Sequence, residues 1–331
     1  MATSRPPRSA IAFRGIPHDR TVFARIGEKG VPVLQWPGEM DMPAFRDPVM
    51  VRAWPEVMHD PGLPFALPAR LEAVVNLCAS AEHYPLSLSA LDAALRPGVA
   101  VLNHPRAVMW TRRDLASQAL ARIPFLSVPK VRRFLPETPG GFMATFEAGG
   151  FHYPVRLEPA AAKEGLERHE IAHPGDWARV FNTPWADRVW IMTQSSLGRS
   201  PWRMRIGMAG QDAHFETYMD GPPPGGPPPR MSVERLQAMV RAVRQCIPLD
   251  VATLVLALEP DRPIVERIDA GLPVPVIDGA PVAVGSSSHR IRTALAAPLA
   301  ALLRDTALWR TDGCRLPAIP EASFDPRPEG T

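Results

Sequence analysis

The chain has 331 residues and a mass of 36.2 kDa, enough for two ordinary domains or one large lobed domain with a core that needs no staples. Hydrophobic residues make up 46% and charged residues 21%, which excludes a wholly disordered or collagen-like chain. Net charge is only +3, and its basic side is 34 Arg against 3 Lys (Lys29, Lys130, Lys163), spread along the chain, so nucleic-acid binding is not expected.

No apolar run reaches the length of a membrane span, and the opening MATSRPPRSAIAFRGIP lacks the apolar core of a signal peptide. The expectation is a cytoplasmic protein with no membrane partner. Cys78, Cys246 and Cys314 lie far apart and no CxxC occurs, which argues against a disulfide framework or a cysteine zinc site. Proline is the unusual residue, 40 of 331, and predicts short elements joined by rigid loops.

Residues 1–68 hold many of the prolines and no long periodic segment; they read as an extended arm with one or two short strands, such as 31–35. Residues 71–78 (LEAVVNLC) form a short apolar run typical of a buried strand. Helical spacing follows over 87–95, stopped by Pro97-Gly98, then a second buried strand over 99–102 (VAVL). Asn103-His104-Pro105 reads as a turn, and 112–123 as an amphipathic helix. This order predicts a small α/β unit with a parallel sheet over 69–128.

Strand patterns recur at 130–134, 153–157, 167–172 and 189–193, with a helix at 176–181. Residues 202–208 and 213–218 alternate like an antiparallel pair about Gly210-Gln211-Asp212. The run 221–229 (GPPPGGPPP) is a stiff loop. A helix over 232–245, strands over 251–258 and 263–268, and a helix over 288–305 containing Pro298 complete the pattern before a proline-rich tail.

Four stretches in this order resemble the ATP-grasp superfamily, in particular bacterial ATP-grasp domains found alone or beside tetratricopeptide repeats. They are residues 99–134, 151–170 (FHYPVRLEPAAAKEGLERHE), 189–219 and 249–271 (LDVATLVLALEPDRPIVERIDAG). The resemblance covers about 200 residues and rests on order and spacing. It implies an α/β fold: an arm (1–68), a pre-ATP-grasp α/β subdomain (69–128), an ATP-grasp-like domain with lobes 129–194 and 195–275, and a C-terminal helix and tail (276–331). It also implies ATP as ligand, magnesium as its counter-ion, and a ligase joining a carboxylate to an amine through an acyl phosphate.

The positions matching the family's motifs are only partly conventional. Arg156 stands at the phosphate lysine, and the phosphate loop reads Pro159-Ala160-Ala161-Ala162-Lys163-Glu164-Gly165, with one glycine. Lys163 and Gly165 are the loop's phosphate candidates. Gln194 stands at the hinge, where an acid would meet adenine or ribose. Arg203 and Arg205 match the arginine that grips the acyl phosphate. In the last block Val255 replaces the first magnesium aspartate, Glu266 matches the second ligand, Ile268 occupies the asparagine position and Asp269 follows it. In a regular strand that one-residue step would turn Asp269 to the opposite face. The implied function is nucleotide binding linked to a ligase whose site is altered or eroded. The alternative is a non-catalytic scaffold that keeps the fold and binds a protein or peptide partner.

A third reading comes from His169-Glu170-Ile171-Ala172-His173, which matches the HExxH zinc-hydrolase motif. That motif needs a helix, and Pro174 disfavours helical geometry at His173. As a strand, the segment splits the two histidines from the glutamate. Gly285-Ser286-Ser287-Ser288-His289 reads as a loop and helix cap.

Overall fold

The computed structural model describes residues 9–17, 23–26, 32–35, 40, 54–161, 167–186, 188–194, 200–220, 226–259, 261–272, 276–277, 280–281, 286–309 and 314–317. In chain order the first elements are β1 (Ala10–Gly15), an antiparallel pair β2 (Phe23–Ile26) and β3 (Pro32–Gln35), β4 (Glu56–His59), β5 (Ala73–Asn76), α1 (Pro85–Ala94), β6 (Ala100–Leu102), α2 (Pro105–Met109) and α3 (Arg113–Leu120). Strands β4, β1, β5 and β6 make a parallel sheet in that order. The parallel unit expected from residue 70 onward is therefore present. It is wider than expected, because the N-terminal segment supplies an interior strand: Ala10–Phe13 are buried on both faces. The six residues AIAFRG carry no alternation and sit among prolines, so no period marks them.

The second block comprises β7 (Val131–Phe134), α4 (Pro139–Ala148), β8 (Val155–Pro159), β9 (His169–Ile171), α5 (Trp177–Phe181) and β10 (Trp190–Gln194). Its sheet, ordered β7-β10-β8-β9, is antiparallel throughout. Helix α4 escapes the sequence reading because Pro139-Gly140-Gly141 looks like a breaker. Proline is well suited to the first helical position, however, where its missing N–H costs nothing. Phe142 then anchors the helix, fully buried with its ring 5.4 Å from Phe134 and 5.3 Å from Trp190.

The third block comprises β11 (Trp202–Ala209), β12 (Asp212–Met219), α6 (Val233–Cys246), β13 (Val251–Ala257), β14 (Ile264–Asp269), the short pair β15 (Val276–Ile277) and β16 (Ala280–Pro281), and α7 (Ser287–Arg304). The main sheet is antiparallel, ordered β12-β11-β13-β14. One face of β13 (Ala252, Leu254, Leu256) packs with α1, α3 and α6 into a core that also takes in Phe13 and Val74 of the parallel sheet. Helix α7 lies in a second core, where Ile291, Leu295, Leu299 and Leu302 meet Ala10, Ala12, Ala73 and Val75. Ser286 caps α7 by accepting from the His289 N–H at 3.2 Å, as its sequence suggests.

The parallel and antiparallel sheets are joined by Asn103. Its side-chain oxygen accepts from the backbone N–H of Asp250 and of Val251, both at 2.9 Å, and its Nδ2 donates to the Val251 carbonyl at 2.9 Å. Its own N–H donates to the Asp250 carboxylate at 2.7 Å, while Asn76 Nδ2 donates to its carbonyl at 3.0 Å. The backbone is left-handed here (φ 54°), a conformation asparagine tolerates better than most residues.

Two predictions concern this framework. Asn103→Ala strands two buried N–H groups and adds left-handed strain, so it should cost on the order of 4 kcal/mol in urea unfolding; a loss under about 1 kcal/mol would show that the sheets are held elsewhere. At Gly207 a Cβ would come within 2.3 Å of Ile291 Cγ2 and 2.9 Å of Leu295 Cδ1. Gly207→Ala should therefore destabilise by about 1–3 kcal/mol by forcing α7 off β11, read as a lowered urea midpoint.

Candidate functional site

The strand period places one set of side chains on the inner face of the middle sheet. Arg156 and Glu158 alternate along β8, and Thr193 on β10 lies opposite Arg156. On the antiparallel sheet, Arg205 of β11, Val255 of β13 and Arg267 of β14 share one cross-strand row. A small cavity of about 30 Å³ lies between these faces, lined by Arg156, Thr193, Glu266 and Arg267 together with Arg113 and Ser117 of α3. That is room for about one water. That volume does not hold a ligand of nucleotide size.

Arg156 is largely buried, its Nε 3.5 Å from Glu158 Oε1. Burial lowers its pKa from the usual arginine range, the neighbouring Arg168 and Arg113 lower it further, and Glu158 and Glu266 oppose them. Arg113, at the start of α3, forms an ion pair with Glu158. Sequence reasoning missed Arg113, Glu158 and Arg267 as site residues. The alternation in VRLEP was enough to put Glu158 on Arg156's face; nothing local marks Arg113, which arrives by tertiary packing.

On the opposite wall Arg203 Nε lies 2.8 Å from Glu266 Oε1, and Arg267 Nε lies 3.0 Å from Asp269 Oδ2. Arg205 donates to the hydroxyls of Ser287 and Ser288, both at 2.6 Å, at the start of α7, and its guanidinium stacks 4.7 Å over the Tyr218 ring. Burial raises the Tyr218 pKa, so the phenol stays protonated.

Asp269 lies on the face opposite Ile268, as the one-residue step predicts, but it is Ile268 that faces the core. Val255 pairs with Arg267 and Leu256 with Val265, so Glu266 is the extra residue of a β-bulge. The bulge resets the alternation. Arg267 and Asp269 then share the cleft-side rows of Val255 and Thr253, Glu266 reaches Arg203 on that wall, and Ile268 pairs with Leu254 in the core. Glu266 thus lines the cavity, while Asp269 lies on the row of Thr253 with its side chain half exposed. They do not fit magnesium. The third position is Val255, an apolar side chain only 3% exposed, and each remaining carboxylate is held by an arginine. Among the described residues no group of three or more His, Cys, Asp or Glu is arranged to hold a metal.

Gln194, at the end of β10, is engaged within the protein. Its Nε2 donates to the carbonyls of His152 (2.7 Å) and Pro154 (3.1 Å), and its Oε1 accepts from the His152 N–H at 3.1 Å. The amide holds the 152–154 backbone. Lys163 and Gly165 lie outside the described residues.

The HExxH segment is not helical. His169–Ile171 form β9, pairing with Leu157, Arg156 and Val155. His169 packs 6.1 Å from Trp190, Glu170 lies opposite Arg156, and the exposed His173 reaches Asp176 at 2.9 Å. The zinc-hydrolase reading loses its geometry.

No protein-family model matches the chain, and no match was found among curated proteins. Solved structures do match. A RimK-domain ATP-grasp protein from Sphaerobacter thermophilus superposes with a TM-score of 0.52 at 15% identity, over 91% of this chain and 100% of that one. A D-alanine–D-alanine ligase from Bacillus anthracis gives 0.52 at 9% identity, over 91% of this chain and 96% of that one. The macrocyclase MdnC from Microcystis aeruginosa, solved with its precursor peptide MdnA, gives 0.51 at 10% identity, over 89% of this chain and 99% of that one. At these identities the likeness speaks for fold alone. The parallel sheet, the two antiparallel sheets and the cleft between the latter are those of the ATP-grasp fold.

Proposed function

We propose that the chain is a nucleotide-binding protein of ATP-grasp descent whose cleft meets phosphate with arginines instead of magnesium, its carboxylate–amine ligase chemistry eroded. One observation carries this reading: the two carboxylates best placed for a metal are each paired with an arginine beside an apolar Val255. Arginine is suited to the task. Its planar fork meets phosphate oxygens bidentately and keeps its charge even when burial lowers its pKa. Arg156 and Arg113 supply charge from one wall, Arg203 and Arg267 from the other.

In this site Arg156 binds phosphate at the inner end of the cleft, with Glu158 fixing its orientation. Arg203 and Arg205 stand where the resemblance puts an acyl phosphate. Arg205 is anchored to α7 through Ser287 and Ser288, which orients it without neutralising it. A ligase reading in which the cleft serves peptide carboxylates, as the peptide-bound macrocyclase would suggest, has no residue in its favour beyond these.

The predicted behaviour is specific. Calorimetry should show ADP or ATP affinity that weakens as sodium chloride rises and changes little when EDTA replaces magnesium. Arg156→Ala should weaken binding about tenfold or more, the usual loss for a charge-assisted hydrogen bond. Tight magnesium-dependent binding with ATP turnover would show an intact ligase site; no binding under any condition would favour a scaffold that keeps only the fold.

A second variant separates the two chemistries. If Glu266 only occupies Arg203, Glu266→Gln should release that guanidinium and tighten nucleotide binding severalfold. If Glu266 is a metal ligand, the same change should weaken binding, and only in the presence of magnesium.

A further inference from the structure

A second cavity, of about 210 Å³, opens at the carboxyl ends of β1 and β4, and it shares no lining residue with the cleft. It has the volume of roughly seven waters at ~30 Å³ each. Carboxyl ends of parallel strands are the usual place for ligands in open α/β sheets, at the point where successive connections leave in opposite directions. Here β1 is flanked by β4 on one side and β5 on the other.

Apolar Ile16, Met58, Leu63, Pro64 and Phe65 line it together with His59 and Asp60, Met58 and Leu63 standing exposed at its open side. His59 is only 5% exposed, packed 5.1 Å edge-on to Phe65 and 6.2 Å from Phe13. Its Nδ1 lies 2.9 Å from Ser87 Oγ. No partner meets its Nε2 among the described residues, although the residue lines the cavity.

The tautomer follows from the hydrogen-bond network. Ser87 is fully buried, and among the described residues the contact with His59 is its only side-chain hydrogen bond. Were Nδ1 the donor, the hydroxyl hydrogen would be stranded in the interior, at a cost of about 1–3 kcal/mol. Ser87 therefore donates to Nδ1, and the ring proton sits on Nε2, where it is a donor without an acceptor. Burial lowers the His59 pKa, with Asp60 opposing, so the ring is neutral near neutral pH. Asp60 Oδ1 accepts from the Gly62 N–H at 2.9 Å, and no Lys or Arg is among the described residues of the lining, so an anion there would be desolvated without a cationic side chain of the lining beside it.

We propose that this cavity binds a small apolar molecule bearing a neutral carbonyl oxygen, with the His59 Nε2–H donating to that oxygen and Ile16, Leu63 and Phe65 enclosing the apolar part. This cavity shares no lining residue with the cleft, and its occupancy is measured without nucleotide, so the two proposals fail separately.

The probe is phenylacetamide, with phenylacetate as its charged counterpart, followed by calorimetry and by the ring-nitrogen resonances of ¹⁵N-histidine-labelled full-length protein. Phenylacetamide should shift the His59 Nε2 resonance and leave the other histidines unmoved. Phenylacetate should bind at least about tenfold more weakly, a difference of roughly 1.4 kcal/mol. The paired change Ser87→Ala with His59→Phe removes donor and acceptor together and keeps an aromatic ring in place, so the fold should survive. In that variant amide binding should fall about tenfold or more. An unmoved His59 resonance, equal binding to the paired variant, or tighter binding of the acid than of the amide would each overturn the proposal. Should the paired variant fail to fold, the wild-type His59 resonance decides alone.

Discussion

The antiparallel wall of the cleft that carries β13 and β14 is tied to the parallel sheet by one buried side chain outside it. Asn103 closes the gap between a parallel sheet and an antiparallel one with three side-chain hydrogen bonds to Asp250 and Val251, all between 2.9 Å atoms. The two sheets are separate and share no ladder at that point, so the N–H groups of Asp250 and Val251 need another partner in the interior. An amide side chain has both a donor and an acceptor and can serve both edges at once. The left-handed backbone at this position directs it there. With the start of β13 fixed in this way, its far half and the bulge on β14 take up fixed positions facing Arg156.

The cleft itself is an exercise in charge balance. Arginines outnumber carboxylates on its walls, and the carboxylates that are present are each matched to a guanidinium. Such pairs, partly shielded from water, tie the walls into fixed geometry more than they stabilise the fold. On the proposed reading, a phosphate arriving between them competes with carboxylates for the same guanidinium forks, so affinity would be a difference between two similar interactions. Val255 offers no oxygen to a divalent ion, which is why that reading gives the phosphate to arginines.

Much of this architecture was legible in the sequence, because hydrophobic period and turn residues mark it directly. The strands of the middle sheet, the β11–β12 pair about Gly210 and the helix α6 lie within a residue or two of where alternation and helical spacing put them. The segments that escaped have tertiary causes. Strand β1 is interior yet reads as part of a proline-rich arm; α4 starts on Pro-Gly-Gly and is held by Phe142. At the site, residue types were legible and their directions were not. A bulge has no sequence signature, so strict alternation puts Ile268 on the face of Glu266, whereas the bulge turns Ile268 into the core. Gln194 reads as a ligand contact, and in the structure its amide is engaged with its own loop.

The placement of α7 has a temporal consequence. One face of β1, among the first structured residues of the chain, is covered by Ile291, Leu295 and Leu299, some 280 residues later. On a ribosome the parallel sheet is therefore complete in its strands long before it is complete in its packing, and that apolar face stays open while the rest of the chain is made. Contacts so distant in sequence are entropically slow to form and leave intermediates prone to association. The middle sheet is free of this constraint, since its core draws only on residues 134–192. The lobe carrying Arg156 can thus fold early and on its own, while the wall opposite waits for the last helix to arrive.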